Sequence, residues 1–156
     1  MNRFFKTVLL TGLFVGTTDL VSAYVTQWII TGKFPNRMLN YIAAGALGLP
    51  TAMAGGDGAA LLGLFFQYFI AFSFTLFFFW IFPRVRFLSY DKYFIGMLYA
   101  VFVNLVVGQV ILSFSRVSRM SFSVPRAFIE WVVFGITFGI PIVYNAYRYY
   151  DVKNRP

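Results

Sequence analysis

Four long runs of mostly apolar residues constrain this chain more than any other feature: about Thr7 to Ile30, Ala59 to Phe82, Tyr93 to Phe114 and Phe128 to Tyr147. Each has the roughly 20 residues that a helix needs to cross a hydrocarbon core about 30 Å thick. The first carries one charge, Asp19, the fourth carries Glu130, and the other two carry none. Strands of a membrane barrel would alternate apolar and polar positions over about 10 residues, and these runs do not. The expectation is an all-α integral membrane four-helix bundle, one transmembrane domain over residues 1–156, with membrane lipid as its partner.

Composition supports lipid as the main solvent. Of 156 residues, 60% are hydrophobic and 12% charged, against about 25% charged in soluble domains. The net charge of +8 does not point to nucleic acid, because the basic residues lie in the gaps between apolar runs, where membrane proteins keep topogenic charge. The chain has no cysteine and no histidine. That excludes disulfides, thiol nucleophiles, imidazole bases and the commonest metal ligands. No paired carboxylates or nucleophile with its base stand out, so no enzyme activity, cofactor or metal is expected.

Arg3 and Lys6 before the first run, with "VSA" at 21–23, resemble a secretory signal and its cleavage site. Asp19 would lie close to that cut, and apolar residues continue through Val25, Trp28, Ile29 and Ile30. A retained first span is the better reading.

The longest connection, "TGKFPNRMLNYIAAGALGLPTAMAGGDGA", joins the first two spans. Asn36 offers capping chemistry and Gly48 with Pro50 a stop, which predicts a short helix over 36–47. It is too short to cross. With Lys33 and Arg37 at its head and Met38, Leu39, Ile42 and Leu47 as apolar contacts, it is expected on the membrane interface or against the bundle. The following "AGGDGA" lacks the lysine and strand of a phosphate-binding loop, and reads as a helix start with Asp57 as its cap.

Basic residues in the short loops set orientation. Arg3, Lys6, Arg84, Arg86, Lys92, Arg148, Lys153 and Arg155 fall on one side; Lys33, Arg37, Arg116, Arg119 and Arg126 fall on the other. The positive-inside rule places both termini in the cytoplasm. Tyr90, Tyr93, Trp131, Tyr147, Tyr149 and Tyr150 near the span ends suit an aromatic belt.

An acidic side chain at the centre of a membrane helix costs roughly 2.5–3.5 kcal/mol on insertion scales, so Asp19 calls for an explanation. Gly12, Gly16, Asp19 and Ala23 recur at intervals of four, three and four, which puts the carboxyl on a small-residue face suited to close helix packing. The second span carries Ala60, Gly63, Gln67 and Ala71 on one stripe, and the third Gly96, Ala100, Asn104 and Gly108. Gly135 and Gly139 recur in the fourth, before Pro141, which is expected to bend or loosen that helix. Asp19 and Asn104 lie 11 or 12 residues from a span boundary, roughly 16 to 18 Å at 1.5 Å per residue, and Gln67, 8 residues in from Ala59, is expected near the same depth. The expectation is a buried polar cluster in which both amides donate to Asp19, with Thr17, Thr18 and Gln109 as further partners and the phenylalanine surfaces facing lipid. No basic residue shares that depth. Glu130 is expected to pair with Arg126 one turn away.

At "GLFVGTTDLVSAYV", "YIAAGALG" and "AGGDGAALLGLFFQYFIAFSFTLFFFWIFP" the chain resembles a group of small four-span bacterial inner-membrane proteins of unknown function, mainly over Gly12 to Pro83. Such proteins often carry an Asp like Asp19, paired glycines like Gly55 and Gly56, and a histidine where Gln67 stands here. That departure weakens any metal or proton-relay role for the position. The resemblance implies a bacterial inner-membrane location and supplies no activity.

Two functional readings follow. In the first the protein is structural or accessory, and its polar cluster fixes helix register. In the second it is a small proton- or cation-coupled transporter or channel component, with Asp19 as the binding group, Gln67 and Asn104 as coordinating groups and a homo-oligomer forming the pore. The basic loops "PRVRF" and "SRVSR" suit anionic lipid as well as topogenic charge. Nothing in the sequence specifies a protein partner.

Overall fold

The long apolar runs become helices here, in which each segment pairs its own backbone N–H and C=O groups, and glycine or proline ends most of them. The structure, a computed structural model, describes residues 3–114 and 124–150, with side chains described for 3–107 and 128–150. Among the described residues there is no strand. Helix α1 covers Arg3–Thr31 and ends where Gly32 takes a φ of 66°, a left-handed conformation natural to glycine. Helix α2 covers Met38–Leu47, α3 Leu49–Ala54 and α4 Gly56–Ile81. Two 3-10 turns, Phe82–Arg84 and Arg86–Ser89, lead to α5, Lys92–Phe114. The last segment is α6, Val124–Phe134, a π turn at Gly135–Gly139, and α7, Ile140–Tyr150.

Three stretches are long and apolar enough to cross a membrane: Arg3–Thr31, Gly56–Arg84 and Phe128–Tyr150. The described part of α5 supplies a shorter apolar stretch, Lys92–Val107. Asp91 starts α5: its Oδ1 accepts the backbone N–H groups of Tyr93 and Phe94 at 2.9 and 2.8 Å, satisfying two donors that a helix start leaves open.

Helix α1 packs against α4 on one side and against the π turn and α7 on the other. Helix α5 packs against the π turn and α7, and α2 lies along α4. Aromatic side chains bridge α4 and α5. Phe78 packs at a tilt against Tyr99 with ring centroids 4.6 Å apart, and the Tyr99 hydroxyl donates to the Phe74 carbonyl at 2.6 Å. The Tyr150 hydroxyl donates to the Phe79 carbonyl at 2.7 Å and that of Tyr147 to Leu88 at 2.9 Å, tying α7 to the end of α4 and the loop after it.

Three expectations change. Phe78, Phe79, Phe82 and Phe138 are fully buried and belong to the core, while Phe65, Phe69 and Phe77 do face outward; Phe78 fills space against Tyr99 of α5, and Phe79 and Phe82 pack against the α7 tyrosines. The connection holds a second short helix, α3: Gly48, at φ 78°, ends α2, and Pro50 then occupies the first turn of α3, where its missing N–H costs nothing. Asp57 is not the cap of α4. Gly55 holds the cap position without a side-chain bond, and Asp57 sits in the first turn, where its charge still complements the helix dipole.

Candidate functional site

The close approach of α1 and α4 is set by missing side chains. A Cβ at Gly16 would lie 2.8 Å from the Tyr68 ring, and one at Gly12 would strike the ring of Phe72. Both glycines are buried, with Ala71 of α4 buried among their neighbours. One turn beyond Gly16, Asp19 faces Gln67, whose Nε2 donates to Asp19 Oδ2 at 2.7 Å. Beside them, the hydroxyls of Thr17 and Tyr68 are hydrogen-bonded at 2.8 Å.

The other side of α1 meets the π turn. Thr18 Oγ1 lies 3.0 Å from the carbonyl oxygen of Thr137, and also within reach of the Phe14 carbonyl in its own helix at 2.9 Å. Ser22 Oγ lies 2.8 Å from the Asp19 carbonyl and 3.3 Å from Thr137 Oγ1, which itself donates to Val133 at 2.9 Å. Thr137 precedes Pro141 by four residues. Proline has no N–H to give the carbonyl four residues back, so the loosening expected around Pro141 falls on the turn before it, and a hydroxyl of α1 is set against the freed oxygen. Thr137 was not among the sequence candidates. Its signal was the Thr-to-Pro interval of four, which has meaning only with a donor on another helix.

The structure does not bring Asn104 to this site. It is half-buried on α5, which packs against the π turn and α7, and makes no hydrogen bond to Asp19 or Gln67. The glycines of α5 serve that other contact: a Cβ at Gly96 would lie 2.8 Å from Ile140 Cα, and one at Gly139 would strike the Gly96 carbonyl. Gly135 lies under the sulfur of Met97. Gly63 makes room for α2, since a Cβ there would strike the carbonyl of Leu39. The surroundings of Gly108 and Gln109 lie outside the described side chains, as does Arg126, the expected partner of Glu130. The loop with Arg116 and Arg119 and the tail with Lys153 and Arg155 lie outside the described residues.

Asn40 is a buried polar residue that the sequence pattern does not single out. At 6% exposure, its Nδ2 donates to the carbonyls of Ala52 at 3.0 Å and Gly56 at 2.9 Å, joining α2 to α3 and to the start of α4. Ala43, Ala44, Ala52 and Ala59 pack around this junction. Among the described residues no group of three or more acidic, thiol or imidazole side chains is placed to hold a metal. The chemistry on display is helix-to-helix hydrogen bonding by one carboxyl, two amides and a set of hydroxyls. Comparison with family models, with curated proteins and with solved structures finds no match to this chain.

Proposed function

We propose that the chain is a multi-pass protein of the bacterial inner membrane, a four-span bundle with both termini in the cytoplasm, and that its role is structural or accessory. Placement in lipid is supported by the outward surface: Ile29, Leu61, Phe65, Phe69 and Phe128 are among many large apolar residues left exposed, more than a water-soluble monomer commonly shows as contiguous patches. The fourth span in this reading is α5, whose apolar part, Lys92–Val107, continues as helix through Phe114.

The observation that carries the structural role is the engagement of α1 on both sides. Asp19 meets Gln67 on α4, and Thr18 and Ser22 meet Thr137 on the π turn. Hydrogen bonds between membrane helices average only about 0.6 kcal/mol, yet polar contacts of fixed geometry select one register among many that apolar faces would tolerate. Asp19→Asn keeps an acceptor for Gln67, whereas Asp19→Leu removes it. The structural role expects the first variant to unfold at the wild-type temperature in detergent and the second to unfold lower.

A proton or cation pathway is the second reading, favoured by the π turn packed against α1 across from the Asp19–Gln67 contact, since such turns recur at functional sites. Flux of protons or monovalent cations into proteoliposomes separates the two. The structural role expects no flux that depends on Asp19; flux abolished by Asp19→Asn in a folded protein supports the pathway and counts against the structural reading.

A further inference from the structure

Where α1 ends, Gly32 reverses the chain and returns it alongside the last turns of that helix before α2 begins. An open cleft of about 590 Å3 results, with Gln27, Thr31, Lys33, Phe34, Asn36 and Arg37 in its wall. We infer that this cleft binds the phosphate headgroup of an anionic phospholipid, in the leaflet opposite the chain termini. The inference rests on the membrane placement proposed above.

Two cations share the cleft, and among the described residues neither Lys33 nor Arg37 is paired with a carboxylate. A Lys or Arg held at an anionic lipid surface contributes about 1 kcal/mol. The turn that presents them is built: Thr31 Oγ1 accepts the Lys33 N–H at 3.3 Å and lies 2.7 Å from the Gln27 carbonyl. Arg37 caps α2 without a side-chain bond to its first turn, and although the Met38 N–H donates to the Pro35 carbonyl at 3.1 Å, the positive end of the α2 dipole lies at the cleft.

The surface beside the cleft distinguishes a lipid from a soluble phosphate. Phe34, in the cleft wall, packs edge-on to Trp28 with centroids 6.2 Å apart and against Tyr24 at 5.6 Å. From Trp28 an apolar stripe descends α1 through Val25 and Val21, at helical intervals of three and four, with the three residues 54%, 45% and 56% exposed. A free anion would use the cations and leave the stripe bare. A phospholipid uses both, with its headgroup in the cleft and an acyl chain along the stripe.

The full chain in mild detergent is titrated with dioleoyl phosphatidylglycerol or dioleoyl phosphatidylcholine, and bound lipid is counted by native mass spectrometry. Tighter retention of phosphatidylglycerol is expected. The pair Lys33→Gln with Arg37→Gln should weaken it by about fivefold per charge removed, while Lys6→Gln with Arg148→Gln, an equal charge loss at two exposed positions outside the cleft, leaves it unchanged. Both cleft positions are exposed, and unchanged unfolding temperatures verify that the variants fold. Equal retention of the two lipids, unchanged affinity in the cleft pair, or equal loss in both pairs overturns the inference. Displacement of the lipid by millimolar inorganic phosphate assigns the cleft to a soluble anion and overturns it as well. Membrane placement is read separately, by resistance to alkaline carbonate extraction. A chain that is extracted fails that placement, whereas an integrated chain with no lipid preference fails this inference alone.

Discussion

The hydroxyl of Thr18 stands 3.0 Å from the carbonyl oxygen of Thr137, the oxygen that would receive a helical N–H from position 141 if that residue were not proline. A defect in one helix is thereby matched by a side chain of its neighbour. The match also fixes rotation of α1, because Thr18 can face Thr137 only while Asp19, one residue on, faces Gln67 on the other side.

Thr18→Val keeps the shape of the side chain and removes the donor. The expected loss is about 0.6 kcal/mol, the average measured for hydrogen bonds between membrane helices, and at most about 1.7 kcal/mol, read as a lower unfolding temperature in detergent. In a Pro141→Ala background the helix supplies its own N–H, and the same substitution should cost less. A double-mutant cycle measures that coupling; equal costs in the two backgrounds would show that the Thr18 hydroxyl serves only its own helix.

Asn40→Ala removes both donors that hold the carbonyls of Ala52 and Gly56. A buried polar group left without its partner costs about 1–3 kcal/mol, and here the cost should be local. Amide hydrogen exchange in residues 40–56 is expected to quicken while Val8 to Gly16, packed in the other cluster, keeps its protection. Uniform quickening along the chain would mean that α2 and α3 are needed by the whole fold.

The all-helical character and the position of the long helices were legible because an apolar run of helix length has few alternatives. The meeting of Asp19 with Gln67 is the kind of contact that small residues at intervals of three and four announce. What such stripes leave open is the neighbour each one meets. Gly63 and Gln67 lie on one stripe of α4, yet Gly63 serves α2 while Gln67 serves α1. Asn104 shares its stripe with Gly96, and that face turns to the π turn and α7 instead of α1. The buried phenylalanines were illegible for a related reason: helices apolar on every side carry no periodic signal that separates core from outer face. Helix α3 was hidden by Pro50, which reads equally as the end of one helix or the first turn of the next.

Gly63→Ala places a methyl group against the backbone carbonyl of Leu39, and a backbone cannot rotate away as a side chain does. Helix α2 should therefore separate from α4. The chain has no native cysteine, so Ala43→Cys with Ala59→Cys, two positions in the same buried cluster, reports the contact through a short bifunctional crosslinker. Crosslinking is expected to fall in Gly63→Ala and to persist in Gly58→Ala, where an added Cβ meets nothing within 4 Å. Gly58→Ala should also be slightly more stable, by at most about 1 kcal/mol, from helix propensity. Equal crosslinking in both variants would show that α2 tolerates displacement by a methyl group.

Thr75 lies in the core of α4, fully buried, with its hydroxyl oxygen lacking any hydrogen-bond partner. Burying such a group costs about 1–3 kcal/mol in mutational series, and replacing it by an apolar group of the same shape can recover part of that. Thr75→Val should raise the unfolding temperature in detergent. Thr75→Ser keeps the hydroxyl and deletes a buried methyl, so it should lower the temperature through lost packing. The two together separate polarity from volume. Stabilisation by valine requires that the hydroxyl be a burden to the folded state; if valine destabilised as serine does, the Thr75 oxygen would have to be satisfied by a donor or acceptor in the membrane-embedded protein, and its retention in the core would then be explained by that bond.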